Sequence, residues 1–344
     1  MTDGPRVIAP NLKRRLSGVT ATVVRLVPIQ SRVIDIRATG PALPKHVPQI
    51  PLSRLPFLPP QPTRVWHARR NVEMIAGLAL RSLLRKRLKL VFTSASQRRH
   101  TRLTRWLIDR MDAVVATSSR TGGYLSVPHR VIPHGIDCET FTPAPDRAAL
   151  RARLGLPVEA RLVGCYGRIR ASKGTDLFVR AMLDTLPAHA GAVAVVMGRA
   201  VGKDRAFLAD IEGHVAAAGL ADRVRILPEV PVEAMADWYA ALDLYVAPQR
   251  HEGFGLTPLE AMACGVPSIA TRTGAFEEIV ADGVTGRLVP TGNVDALAEA
   301  IDAALGEPSR IARWSEACRP RALEGFRIED EAAALVALYE ELLR

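Results

Sequence analysis

The stretch DLYVAPQRHEGFGLTPLEAMACGVPSIAT (residues 243–271) decides the fold. It opens on a short apolar strand at 243–248 and then passes through a glycine-containing turn with Glu252 before it and Glu260 after it. It then enters a short apolar helix that ends at Gly265, and reaches a second strand at 267–271. Strand, helix and strand in so few residues form one unit of a parallel sheet. The same alternation surrounds it, with strands expected at RLVGCYG (161–167), AVAVVM (192–197) and RVRIL (223–227). Near-continuous apolar strands separated by helices imply a sheet covered on both faces, which is a doubly wound α/β domain.

The first half alternates less cleanly. Strands are expected at 6–10, 31–38, 64–68, 88–96, 112–118 and 129–135, with helices near 18–29, 70–87 and 98–110. At 344 residues the chain exceeds what one core usually supports, so two such domains in tandem are expected. The proline punctuation in 138–157 marks the join. The expected division is 1–145, 146–322 and a C-terminal helix at 323–344 that packs back toward the first domain. Residues 41–62 hold eight prolines, which exclude a long helix or a central strand. This segment is expected to be an extended surface loop that touches an acceptor or partner.

The composition, 48% hydrophobic and 24% charged, is that of a globular protein. No apolar run approaches the length of a membrane-spanning helix. The N-terminus lacks the apolar core of a secretory signal, and Cys138, Cys165, Cys264 and Cys318 are scattered without metal or disulfide spacing. A cytoplasmic protein is expected. Its formal charge of +11 is uneven: residues 1–145 hold 24 Lys+Arg against 7 Asp+Glu, leaving 22 against 28 for residues 146–344. A basic first half attracts polyanions, which include nucleic acid, an anionic membrane and a phosphorylated glycolipid.

In open parallel sheets, ligands bind beyond the carboxyl ends of the strands. The loop after 161–167 reads GRIRASKGTD and carries Arg168, Arg170 and Lys173. A guanidinium fork and an ammonium converging there suit a diphosphate, although solvated loop charges have the same look. After 243–248, Thr257, Pro258 and Glu260 read as N-cap, first helical residue and partner in a capping box. Glu252 has no such structural role. It sits beside Gly253, Phe254 and Gly255, where missing side chains let a ligand approach, and its carboxylate suits sugar or ribose hydroxyls. A diphosphate with hydroxyl-rich groups at both ends is a nucleotide sugar.

Taken together, EGFGLTPLEAMACGVP, GRIRASKG, VIPHGID (131–137) and DGVTGRLVP (282–290) resemble the retaining GT-B glycosyltransferases of family 4, with His134-Gly135 where many members have Asn-Gly. That resemblance implies two Rossmann-like domains facing each other across a cleft. It implies donor binding by Gly18, Gly167, Arg168, Lys173, Glu252, Gly253, Phe254, Gly255, Leu256 and Glu260. It also implies catalysis by Arg168, Lys173, Glu252 and His67, with no metal or other cofactor. Ser17-Gly18 stands where members have a glycine pair, so only Gly18 carries over. His67 and His134 are each also readable as packed or connecting histidines.

The segments APNLKRRLSGVT and WHARRNVEMIAGLALRSLLRKRLK most resemble bacterial mannosyltransferases of the lipopolysaccharide core. The resemblance implies a GDP-mannose donor, an anionic lipid A-linked acceptor, and a protein peripheral on the inner face of the cytoplasmic membrane. MIAGLALRSLLRKRLK (74–89) is expected as a basic amphipathic helix on anionic lipid, or else as a core helix with one solvated face.

Rival readings stay open at this point. A nucleotide-sugar epimerase or hydrolase would act without acceptor, and a sugar-nucleotide sensor would bind donor without turning it over. A nucleic-acid-binding protein fits the charge, but the basic half lacks interleaved aromatics and any zinc pattern.

Overall fold

The structure, a computed structural model, describes residues 4–14 and 18–344, so Ser17 lies outside the described residues. Its contacts divide the chain into two compact units, Met1–Gly135 with Ile328–Arg344, and Ile136–Arg327.

The first unit carries β1 (Val7–Pro10), β2 (Ile36–Thr39), β3 (Arg64–Ala68), β4 (Leu88–Ser94), β5 (Ala113–Ala116) and β6 (Arg130–Val131) in the order β2-β1-β3-β4-β5-β6, with every pair parallel. Its helices are α1 (Gly18–Gln30), α2 (Asn71–Ser82), α3 (Arg102–Ile108) and the short α4 (Ser119–Gly122). The second unit begins with α5 (Arg147–Arg153). It continues through β7 (Arg161–Tyr166), α6 (Thr175–Thr185), β8 (Ala192–Met197), α7 (Asp204–Ala217) and β9 (Val224–Leu227). After α8 (Met235–Ala240) come β10 (Leu244–Ala247), α9 (Thr257–Ala263), β11 (Ser268–Thr271), α10 (Phe276–Ile279) and β12 (Gly286–Val289). The order is β12-β11-β10-β7-β8-β9, again all parallel. α11 (Val294–Gly306) and α12 (Pro308–Gly325) complete this unit, and α13 (Ile328–Leu343) belongs to the first.

The period-2 alternation of the strands sorts side chains into two cores per unit. Along β8, Val193, Val195 and Met197 enter one core while Ala192, Ala194 and Val196 enter the other. Tyr245 and Ala247 of β10 likewise oppose Leu244 and Val246. In the first unit Val7 and Ala9 pack on one side of the sheet and Ile8 on the other. Both faces are covered, as the apolar strands require. α13 adds Ile328, Leu335, Val336 and Tyr339 to the core that contains Val7, Val65 and Val91. At ~1.5–3 kcal/mol for each fully buried large apolar side chain, this helix is a structural part of the unit.

Several boundaries differ from expectation. The join falls at 135/136 rather than 145/146, because Ile136 and Cys138 are buried in the second unit's core with Phe141 packed against them. α12 runs on to Gly325, so the last helix begins at Ile328 rather than 323. Residues 31–34 are not strand: Ser31 N–H bonds Val27 O, and Ile34 N–H bonds Gln30 O, closing α1 before β2 begins. β12 was not anticipated, since GRLV is four residues long with an exposed arginine at its second position. The basic amphipathic helix over 74–89 is corrected as well. α2 ends at Ser82, Arg85 has φ +50°, and Lys89 already lies in β4. The strand propensity of LKLVF and its pairing with β3 override helix continuation there. The proline-rich segment contains one short 3₁₀ turn, Leu52–Phe57.

Candidate functional site

In the second unit the chain adds β8 and β9 on one side of β7, then returns to place β10, β11 and β12 on the other. The strand order therefore reverses between β7 and β10. In open parallel sheets, the carboxyl ends of the strands at such a reversal are where ligands bind. The loops that follow β7 and β10 are the two that the sequence nominates.

After β7, Gly167 takes φ +128° and donates its N–H to Met197 O at 2.9 Å. Arg168 is exposed, Ile169 is buried, and a 3₁₀ turn spans Ala171–Lys173. Gly174 then opens α6 at φ +71°. A Cβ there would stand 2.0 Å from Pro248 O, at the end of β10, so only glycine lets the two loops meet. Arg250 fastens the contact. Its guanidinium donates to both Asp176 oxygens at 2.7 Å and to Ala171 O at 2.6 Å. The Arg250 and His251 N–H groups both reach Ser172 O, at 3.1 and 3.3 Å. The result is an ion pair between Lys173 Nζ and Glu252 Oε2, with both side chains less than a quarter exposed. The other Glu252 oxygen accepts the Gly253 N–H at 2.9 Å.

Three sequence assignments change here. Phe254 is buried in the core, so its side chain is not part of a ligand surface. Gly255 (φ +89°) is glycine because a Cβ would lie 2.2 Å from the Phe276 ring of α10. The capping box does not form: Leu256 is the N-cap, Thr257 is the first helical residue, and no side chain caps the end. Glu260 sits one turn in and accepts the Tyr239 hydroxyl at 2.8 Å. Tyr239 is fully buried among Tyr166 and Tyr245, with ring centroids 5.2 and 5.3 Å away. Burial, then the charge of Glu260, raises its phenol well above the usual value. Nothing in the sequence pointed to this tyrosine. Burial also pushes the Cys165 thiol up to about 12, so it offers no thiolate.

Beside Arg168, a cavity of about 270 Å³ opens at the ends of β7, β8 and β9, lined by Gly167, Gly198, Arg199, Glu229 and Val230 among others. Arg199 and Glu229 pair at 2.9 Å across its polar edge. Their separation in sequence hid this pair. A larger hollow of about 760 Å³ between β12, α11 and α12 contains none of the nominated residues. Its arginines are engaged locally, Arg287 with Asp282, and Arg310 and Arg313 with Glu307. Among the described residues no three His, Cys, Asp or Glu side chains gather into a group that could hold a metal ion.

In the first unit the order reverses between β1 and β3. Gly18 is the first residue of α1 and is exposed. A cluster that sequence reading missed lies at this reversal. Arg70 donates to Asn11 Oδ1 (2.9 Å), Glu73 Oε1 (2.8 Å) and Thr20 Oγ1 (3.2 Å), while buried Glu73 accepts the Arg69 N–H at 2.8 Å. It holds the start of the loop after β1 against α2.

His67 is corrected from a catalytic to a core histidine. It has no solvent exposure, and its two ring nitrogens sit 2.6 Å from Tyr339 Oη and 2.6 Å from Thr93 Oγ1. Burial, then the neighbouring Arg69, holds its pKa well below the usual 6.5. His134 Nδ1 lies 2.7 Å from Glu331 Oε1, and Gly135 N–H donates to the other oxygen at 2.8 Å. Both link the first unit's chain to α13.

Two open, all-parallel six-stranded sheets, each wound to both sides of its first strands, have the two-domain build of the GT-B glycosyltransferases. The family of glycosyl transferases group 1 matches residues 146–321, and the chain belongs to it. The protein is a glycosyltransferase. It is 50% identical over 98% of its length, and 98% of the relative's, to the lipopolysaccharide core biosynthesis mannosyltransferase LpsB of Rhizobium meliloti. It is 49% identical to LpcC, a mannosyltransferase of the same description from Rhizobium leguminosarum, over 98% of this chain and 96% of that one. Among solved structures, Anabaena HepE in complex with UDP and glucose superposes with a TM-score of 0.84 at 18% identity, covering 98% of this chain and 100% of that chain.

Proposed function

We propose that the enzyme transfers mannose from GDP-mannose to a lipid A-linked lipopolysaccharide core acceptor, with retention of configuration at the anomeric carbon. One observation carries the donor assignment. The loops after β7 and β10 are tied together so that Arg168, Lys173 and Glu252 stand at the reversal of strand order. The choice of sugar and acceptor is supported by the two relatives at 50% and 49% identity.

In this reading the donor diphosphate takes Lys173 and Arg168 as its cationic partners, and the base lies toward the cavity beside Arg168. Glu252, released from Lys173, accepts hydroxyls of the transferred sugar, and Glu260 accepts those of the ribose. The bond between the anomeric carbon and the diphosphate oxygen breaks while negative charge builds on the diphosphate. Preorganised cations there lower that barrier most, and they carry the charge without a metal. The acceptor hydroxyl attacks from the same face, its oxygen bonds the anomeric carbon, and its proton passes to the departing diphosphate. The lipid-linked acceptor puts the enzyme at the inner face of the cytoplasmic membrane.

The test is a panel of nucleotide sugars incubated with and without purified core acceptor, with the product read by mass spectrometry and the one-bond coupling between the anomeric carbon and its proton. Mannosyl transfer from GDP-mannose to give an α-linked product is expected. Transfer only from another donor, an inverted product, or turnover without acceptor would each overturn the reading.

A further inference from the structure

On the first unit, the proline-rich segment and α2 enclose a groove of about 390 Å³, within the range of ligand pockets. Leu52, Leu55 and Pro56 form one wall, Ala79 and Leu80 line the α2 side, and Trp66 contributes its indole. Beside the groove, large apolar side chains face solvent, Phe57 at 85% exposure and Leu83 at 79%. The turn after α2 is tied to the same edge. The Lys86 ammonium donates to Leu58 O, and Arg87 N–H reaches Pro60 O. A surface that exposes such residues around an apolar cavity marks an interaction site.

The charge pattern selects the partner. Between residues 36 and 108 there are fifteen Lys and Arg and a single acid, Glu73, which is fully buried. Arg54, Arg85 and Arg87 stand exposed around the groove. A second copy docked face to face would set these arginines against themselves. A nucleic acid would meet the arginines but leave the apolar groove unfilled. An anionic bilayer satisfies both features, with acyl chains for the groove and headgroups for the guanidinium groups.

We propose that this groove seats an acyl chain of an anionic phospholipid bilayer, with Phe57 and Leu83 inserted beside it and Arg54, Arg85 and Arg87 at headgroup level. The surface is a built concavity on the β3–α2–β4 edge, not an amphipathic helix. It specifies the membrane contact of the proposed function, and its test involves no sugar transfer, so either reading can fail without the other.

The experiment is flotation of the purified protein with vesicles of phosphatidylcholine, with and without phosphatidylglycerol. Binding is expected only with phosphatidylglycerol. Arg54→Gln, Arg85→Gln and Arg87→Gln should each weaken it about fivefold. Phe57→Ser with Leu83→Ser should weaken it further, with the circular dichroism spectrum unchanged. Insertion is read separately, by quenching with brominated acyl chains of the Trp66 fluorescence, taken in a Trp106→Phe background as the difference from the same protein with Trp66→Phe, since Trp238 and Trp314 also emit. Ala79→Phe, which fills the groove, should keep the charge-driven binding and abolish the quenching. Absence of binding to phosphatidylglycerol vesicles would overturn the proposal. So would binding with no Trp66 quenching, or a dimer that dissociates on Phe57→Ser with Leu83→Ser.

Discussion

Removing Arg250 is the sharpest probe of the donor site, because its guanidinium touches no proposed substrate atom yet binds the two loops that do. It makes two 2.7 Å bonds to Asp176 and one of 2.6 Å to Ala171 O. A charge-assisted bond contributes ~1.5–3 kcal/mol when buried. The side chains are 35% and 15% exposed, so solvent screening reduces the pairwise coupling to about 1–2 kcal/mol. Arg250→Ala alone should cost more, about 2–3 kcal/mol, because it leaves the Asp176 carboxylate without its strongest partner. Asp176→Asn in the same chain should recover part of that loss. The backbone bonds from 250 and 251 to Ser172 O survive, so the turn carrying Lys173 should shift rather than unfold. A misplacement of about 1 Å in a catalytic group costs ~100-fold. We therefore expect kcat to fall by about 10–100-fold in Arg250→Ala, with a folded protein and weaker GDP binding. The assay is a double-mutant cycle, with urea unfolding for stability, and calorimetric GDP titration and steady-state transfer for function. Additive stabilities with unchanged kcat and GDP affinity would refute the argument that this pair aligns the loops.

Three further outcomes are expected. Arg168→Ala and Lys173→Ala should each lower kcat by ~100–1,000-fold, the effect of deleting one preorganised donor at a developing anion; stability by urea unfolding should be unchanged for exposed Arg168 and fall by about 1 kcal/mol for Lys173, whose partner Glu252 loses its cation, and near-normal rates would remove both residues from the diphosphate. Tyr239→Phe should destabilise the second unit by ~1–3 kcal/mol through the lost Glu260 partner, whereas Glu260→Gln should chiefly weaken nucleotide binding, so equal effects on stability alone would leave Glu260 a packing residue. Burial depresses the pKa of His67, so the unfolded chain takes up a proton below about pH 6.5 that the folded protein does not. Stability from this group is full above that pH and should fall by about 1.4 kcal/mol per pH unit below it, and urea midpoints of His67→Gln should lack that part of the slope.

What the sequence revealed and what it hid follow from the range of the forces involved. Strands such as AVAVVM were legible because burial on both faces demands an unbroken apolar run, and β8 occupies those six residues. The positions of the loops that carry Arg168, Lys173 and Glu252, after β7 and β10, were legible because strand ends and glycine turns are local signals. Contacts between distant segments were not. The Arg250–Asp176 pair spans 74 positions, and the Tyr239–Glu260 bond joins two helices 21 positions apart with nothing in either that marks the partner. His67 misled for the same reason. A histidine at a strand end suggests chemistry until Tyr339, 272 residues away, is seen against its ring. The short edge strand β12 and the break after Ser82 were lost because four residues, or one residue at positive φ, give no periodicity to read.

The return of α13 to the first unit orders events at the ribosome. The sheet of that unit is translated by residue 131, yet Leu335, Val336 and Tyr339, which close its core, follow about two hundred residues later. At ~5–20 residues per second, the opening half of the polypeptide waits on the order of 10–40 s with one apolar flank uncovered. A chain interrupted between residues 327 and 335 would therefore hold a whole second unit beside a first that lacks its closing helix, and a nascent chain would depend on holdase protection in that interval.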